Sequence, residues 1–355
     1  MKKTWVFSLI VIGTIIGAGF ATGREVSQYF ARFGYVFIPC ALLAGMLFYF
    51  FYVFLLRISR EKNFVNYQEF SKKTFGKFRF YFDAFLGVSF LVLCGSMYAS
   101  INQVQRILFD FQFPFLSIAT AVMCVLVCLN GLSGLSKANI VIIPPIIIFI
   151  TIICIKGILE NPYAGELVIS SWALPVGLFS CILYVLMNFL LAGIFLLLIG
   201  NKYNAKQSNA AIIISITVLT VILILICICL LKNSNIMGES VPLLVLSFSF
   251  SKVYGYIFCI IIWFAVFSTL ISASFSCLNI LSYKNQFLST FSVVIISYFI
   301  SAIGFTEIVK YIYPVIGMVG FVFCLVIMIK YREHKINIFY DKNTSKRKIR
   351  LKEKC

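Results

Sequence analysis

Hydrophobic residues along the chain come in runs of about twenty, the length a helix needs to cross the hydrocarbon core of a bilayer. Charged or turn-like breaks separate the runs. They predict about ten spans, five of which are Trp5–Phe30, Tyr35–Arg57, Phe80–Arg106, Pro114–Gly131 and Asn139–Lys156. The others are Trp172–Gly200, Ala210–Leu231, Tyr254–Leu281, Phe287–Gly304 and Val309–Ile329. The polar linker Ile58–Arg79 predicts a short amphipathic helix around Asn66–Thr74, and Lys232–Lys252 reads as the longest loop on the opposite face. This is the pattern of an all-α polytopic membrane protein.

The first run departs from a simple span. Gly13, Gly17, Gly19 and Gly23 put four glycines within eleven residues, and each interior glycine costs a helix about 1 kcal/mol relative to alanine. Thr22-x-x-Glu25 follows, in the spacing of a capping box that marks a helix start. The expectation is that one helix stops near Ile16 and another begins near Thr22. Non-helical backbone at membrane depth is tolerated only when buried in protein or lining a cavity, and a discontinuous span is the strongest sequence pointer to a transporter's binding site.

Composition supports the membrane reading: 61% of the 355 residues are hydrophobic and 12% charged, about half the charged fraction of a soluble chain. The net charge of +18 is not spread as nucleic-acid binding would require. Placing the N-terminus in the cytoplasm puts 23 of the 30 lysines and arginines on that face, including Lys2, Lys3, Arg57–Arg79, Lys137, Lys202, Lys206, Lys284 and the tail from Lys330. That asymmetry is the positive-inside rule at work, with both termini cytoplasmic. The twelve cysteines lie in apolar runs without a CxxC, and His334 is the single histidine. These support neither a metal cluster nor a disulfide framework.

The two halves of the chain match. A shift of 170 residues lays Gly23 on Gly193 and Pro144 on Pro314. Five spans is an odd number, so the second half must lie inverted relative to the first, as in transporters built from inverted repeats. The organisation expected is a first repeat over residues 1–158, a second over 159–330 and a basic cytoplasmic tail over 331–355. By the same symmetry the sixth span should break around Asn188–Gly193.

Gly13-x-x-Ile16-Gly17-Ala18-Gly19 resembles the first-helix motif of the amino acid–polyamine–organocation superfamily. The longer run from Gly13 to Glu25 is similar to that of YkvI-type membrane proteins of bacteria. The resemblance implies the LeuT fold, with 5+5 inverted spans in a bacterial cytoplasmic membrane, and secondary transport of amino acids or related solutes. It also implies that the backbone around Gly17, Ala18, Gly19 and Phe20 receives a solute carboxylate. Sodium-coupled members ligate the ion with first-helix carbonyls and with hydroxyls of the eighth span. Carried over, the ligands are the carbonyls of Gly13, Ile16 and Ala265 and the hydroxyls of Ser268 and Thr269. Proton-coupled relatives place a lysine from the fifth span there, and none lies within Ile140–Ile155.

Other polar residues in the spans stay open between two roles. Glu25 closes the capping box, or contacts a solute ammonium or carries a proton, since ionisable groups within spans are functional by default. Arg24 is expected to face an aqueous vestibule. Tyr98 lines the site or hydrogen-bonds between helices, Asn188 lines the site, and Asp83 and Arg106 are interfacial. The function expected is a secondary transporter of a small amino-acid-like solute, coupled to sodium, with no other cofactor and no enzymatic motif. The alternatives are a non-transporting sensor subunit on the same fold, a proton-coupled exchanger or a channel. Its partners are the solute and the lipid bilayer, and the sequence leaves oligomeric state open.

Overall fold

A computed structural model of the chain describes residues 2–64, 66–109, 113–129, 131–161, 172–200, 203–281 and 286–331. The expected tail beyond Tyr331 and loop positions Lys202 and Lys284 lie outside the described residues. Among those described, every regular element is helical. The first run forms α1 (Lys2–Ile15), α2 (Ala18–Ala21) and α3 (Arg24–Tyr29), followed by α4 (Phe37–Lys62), α5 (Tyr67–Phe75), α6 (Arg79–Phe109), α7 (Phe115–Leu129) and α8 (Gly131–Glu160). Then come α9 (Ala173–Ile199), α10 (Ala205–Lys232), α11 (Pro242–Phe250), α12 (Lys252–Leu281) and α13 (Gln286–Ile300), and α14 (Phe305–Tyr331). Among the described residues, seven helices are long and apolar enough to cross a membrane, with three shorter apolar ones beside them, and these fall on the hydrophobic runs. Large apolar side chains such as Met46, Val141, Val221 and Phe299 face outward, as a lipid-facing surface requires.

The linker helix forms as its pattern predicts. Asn66 caps α5 by accepting from the Glu69 amide at 2.9 Å. Asp83 holds the helix down, accepting from Tyr67 and Ser71 at 2.6 Å and pairing with Arg79 at 3.0 Å. The segment Lys232–Lys252 is not simply a loop: Pro242 starts α11 from the first helical position, where proline's missing N–H costs nothing.

The sixth span, α9, contradicts the expected break, since it runs as one helix from Ala173 to Ile199. Asn188 does not interrupt it, because its amide bonds back to the Tyr184 carbonyl four residues earlier at 3.0 Å. Gly193 sits against Leu55 of α4, where a Cβ would stand 2.8 Å from that side chain. One glycine weakens a helix by about 1 kcal/mol, a cost small enough for packing against α4 to offset. The inverted symmetry suggested by spacing is therefore not matched at this point. In α14 a π-helical turn, Ile308–Ile312, precedes Pro314. It widens the backbone where the proline ring would otherwise strike the carbonyl four residues back. Gly317 and Gly320 then bring α14 onto the backbone of α9, the close approach small residues permit between spans.

The broken span lies at the centre. α1 packs against α8, α9, α10 and α12, α2 against α12, and α3 against α9, α10 and the π-helical turn of α14.

Candidate functional site

The break falls where the glycines place it. α1 ends at Ile15, Gly17 is extended (φ −98°, ψ −168°), and α2 starts at Ala18 rather than at Thr22. A second break follows. Gly23 takes the cap of α3 at φ 80°, a left-handed conformation that suits glycine, and a Cβ there would also meet Leu243 at 3.1 Å.

The expected capping box is not formed. Thr22 lies one residue before the cap, and its hydroxyl is 3.4 Å from the Gly19 carbonyl and 3.5 Å from the Arg24 amide. Glu25 turns inward instead and lies on Gly19, where a Cβ would overlap its carboxylate. The pattern fails because Gly23 reaches the required backbone conformation without help from a side chain. Gly19 thus makes room for the protein's own carboxylate on the face expected to receive a solute's.

Around the first break the structure brings together four of the five expected cation ligands. The Ser268 hydroxyl lies 3.3 Å from the Gly13 carbonyl, and the Thr269 hydroxyl 3.3 Å from the Ile16 carbonyl. Gly17 packs on Thr269, leaving 3.0 Å between a Cβ position and the Thr269 hydroxyl oxygen. Ala265 is buried on the same helix one turn earlier, and Ser268 and Thr269 are likewise buried. Hard oxygen atoms on facing backbone and hydroxyl groups are the donor set for a hard cation.

Asn139 joins this group without having been singled out. It is fully buried at the start of the fifth span, its Oδ1 accepts from Ser268 at 2.8 Å, and its Nδ2 has no partner. A buried amide nitrogen left unpaired is unusual in a settled core, and it lies against Gly13. An isolated asparagine at the edge of a hydrophobic run gave no signal in the sequence.

A small cavity of about 10 Å³, the room of a single water, adjoins the N-terminal side of the break between Thr14, Leu93, Ala192, Phe195, Thr269 and Ser272. Four helices converge there, so the first span is closed over by its neighbours in this arrangement.

The C-terminal half of the span is clamped. Arg24 donates to the carbonyls of Gly238 and Glu239 at 3.1 and 3.0 Å, Ser27 to that of Met237 at 2.8 Å, and the Leu243 amide to that of Thr22 at 3.0 Å. Arg24 therefore serves as a latch on the segment before α11, not as a free vestibule residue.

Tyr98 is buried with an unpartnered hydroxyl, but its ring meets Tyr298 of α13. The residue that reaches towards Glu25's surroundings is Ser96, whose hydroxyl lies 2.7 Å from that of Tyr313. Asn188 stands beside Tyr184, and its carbonyl is 3.5 Å from the Tyr52 hydroxyl. Phe20 and Ala18 are core residues of the break.

The fold is that of a known class of membrane protein. The structure resembles the substrate-bound, outward-open state of a Na+-coupled sialic acid symporter, with a TM-score of 0.60 and 14% identity, over 92% of this chain and 78% of that one. A manganese transporter of Eremococcus coleocola aligns with a TM-score of 0.43 at 15% identity, over 92% of this chain and 71% of the other. In sequence the chain is similar to the uncharacterized membrane protein YkvI of Bacillus subtilis (strain 168), 25% identical over 330 residues, 89% of this chain and 92% of the relative. No family model matches. The chain is a multi-pass membrane protein.

Proposed function

We propose that the chain is a secondary transporter with a 5+5 arrangement of spans, moving a small amino-acid-like solute across the membrane by alternating access with sodium as the coupling ion. The observation that carries this reading is the stitching of a broken span to α12, with hydroxyls of Ser268 and Thr269 facing carbonyls of Gly13 and Ile16. A cation shared by these oxygens would hold the break in one arrangement, and its departure would free α1 to move. Asn139 adds a sixth candidate oxygen from α8. The symporter fold supports the reading, and the break gives it a mechanism: solute and ion meet where backbone groups have left the helix. In this reading both termini are cytoplasmic.

The test is uptake by the purified chain in proteoliposomes, screening small amino acids and related solutes. An inward sodium gradient should drive accumulation that collapses when choline replaces sodium. Solute binding without accumulation under any cation gradient would overturn the transporter reading.

A further inference from the structure

The C-terminal half of the broken span buries an acid for which the fold supplies no counter-charge. Glu25 is 6% exposed, and among the described residues no lysine, arginine or histidine pairs with it. Its neighbour Arg24 points the other way, into the carbonyls of Gly238 and Glu239. The groups that face Glu25 are hydroxyls on three elements: Tyr29 on α3, Tyr184 on α9 and Tyr313 on α14. The Tyr184 hydroxyl is adjacent to the carboxyl group, a neutral donor and not a counter-charge, and the Tyr29 hydroxyl is unpartnered. Tyr313 is engaged with Ser96. Of the remaining charged groups nearby, Arg32 faces Tyr29, while Glu239 and Glu307 face Arg24.

Among the described residues the carboxyl group is closely surrounded. Gly19 closes on the carboxylate, rings of Tyr29, Phe30 and Phe48 wall in Tyr184 at centroid distances of 5.3, 5.3 and 6.2 Å, and neither the 10 Å³ cavity nor the 300 Å³ cleft near Arg106 is lined by Glu25. An ionised carboxylate without a partner is strongly disfavoured in such surroundings, whereas the neutral acid is tolerated. A proton, carried on a carboxyl oxygen itself, removes that penalty without needing added room.

We propose that Glu25 is a proton-binding site: its carboxyl group holds a proton while α3 is packed against α9 and α14, and gives it to water when α3 swings away. Only the O–H bond is broken, yielding the carboxylate and a hydrated proton, and closure reverses the step. The proposal deepens the transporter reading by adding a proton to the ions that move the first span, and its test is independent of any solute.

Infrared difference spectra of the full chain in lipid nanodiscs, wild type against Glu25→Gln, should show a protonated-carboxyl C=O stretch at neutral pH that shifts in D2O and is lost in the variant. Hydrogen-exchange protection across residues 19–30, corrected for intrinsic rates, should fall as pH rises in the wild type and stay flat in Glu25→Gln. If that variant fails to fold, Gly19→Ala keeps the acid but forces its carboxyl group out of its present seat against residue 19. It should weaken the band and bring the loss of protection to lower pH. A wild type without the band, or a Glu25→Gln protein that keeps the band or the pH dependence, overturns the proposal. Failure of every solute to be transported would remove the transporter reading alone, whereas uptake unchanged in rate and pH profile in Glu25→Gln would remove the proton's role alone.

Discussion

Removing both hydroxyls that face the first break should separate structural stitching from ion binding. In Ser268→Ala with Thr269→Ala, three hydrogen bonds disappear: Ser268 to Gly13 and to Asn139, and Thr269 to Ile16. Ser268 has a single proton to donate, so the net loss is two bonds, about 2 kcal/mol at about 1 kcal/mol each. That loss is the same in any salt. A bound sodium ion adds a second quantity, about 2.7 kcal/mol when sodium stands at a hundredfold excess over its dissociation constant. The variant should therefore fall below wild type by about 2 kcal/mol in choline and by nearly 5 kcal/mol in sodium, combining those two estimates. The assay is denaturation of the purified protein in sodium, potassium and choline at equal ionic strength, so that screening is held constant. Ser274→Ala is the control. Ser274 lies on the same helix as Ser268 but contacts the sulfur atoms of Cys94 on α6 and Cys124 on α7 at 3.6 Å, so the sodium increment should survive its loss. An equal gap between wild type and the double variant in all three cations would refute the sodium bridge.

Three further outcomes follow from the geometry. Asn139→Asp places a carboxylate where an amide oxygen now lies 2.8 Å from Ser268, and should raise sodium affinity at least severalfold in calorimetric titration; unchanged affinity would put Asn139 outside the ion's reach. Arg24→Gln removes two charge-assisted bonds to the 237–243 segment, each worth about 1.5–3 kcal/mol, and should raise hydrogen exchange at Leu243; an unaltered exchange pattern would deny the latch. Gly320→Ala sets a Cβ 2.5 Å from the Leu186 carbonyl, so α14 must retreat from α9 at a cost of about 1–3 kcal/mol; full stability in chemical denaturation would mean that these helices part more easily than their packing indicates.

The path from sequence to structure was clear wherever one local property decided the outcome. Runs of apolar residues locate the helices because a span must satisfy its own backbone in lipid. Glycines at 13, 17 and 19 locate the first break because helix propensity there is low over several consecutive turns. Thr22-x-x-Glu25 misled because the same four residues carry a glycine that ends the turn unaided, freeing Glu25 for the interior. Asn188 and Gly193 misled because a weak helical site is rescued by neighbours that sequence alone does not reveal. The tyrosines around Glu25 were out of reach for a different reason. Tyr184 and Tyr313 come from two distant spans, and in a chain with 18 tyrosines and 38 phenylalanines no single ring stands out before the helices are assembled. Asn139 was hidden in the same way, since its meaning depends on Ser268 in a helix far along the chain.

The two interruptions in the first span give it different mechanics from a helix with one. A rod with a single joint is a seesaw, in which lowering one arm moves the other. Joints at Gly17 and at Gly23 make a three-link chain, with Ala18–Ala21 as a short middle link seated against α12. The arms are moored separately, α3 to the segment before α11 through Arg24 and Ser27, and α1 to α10 through Ser8 and Ser215. Either arm can tilt about its own joint while the other stays moored. Such a linkage can keep one end sealed while the other loosens, which a seesaw passing through its level position cannot do.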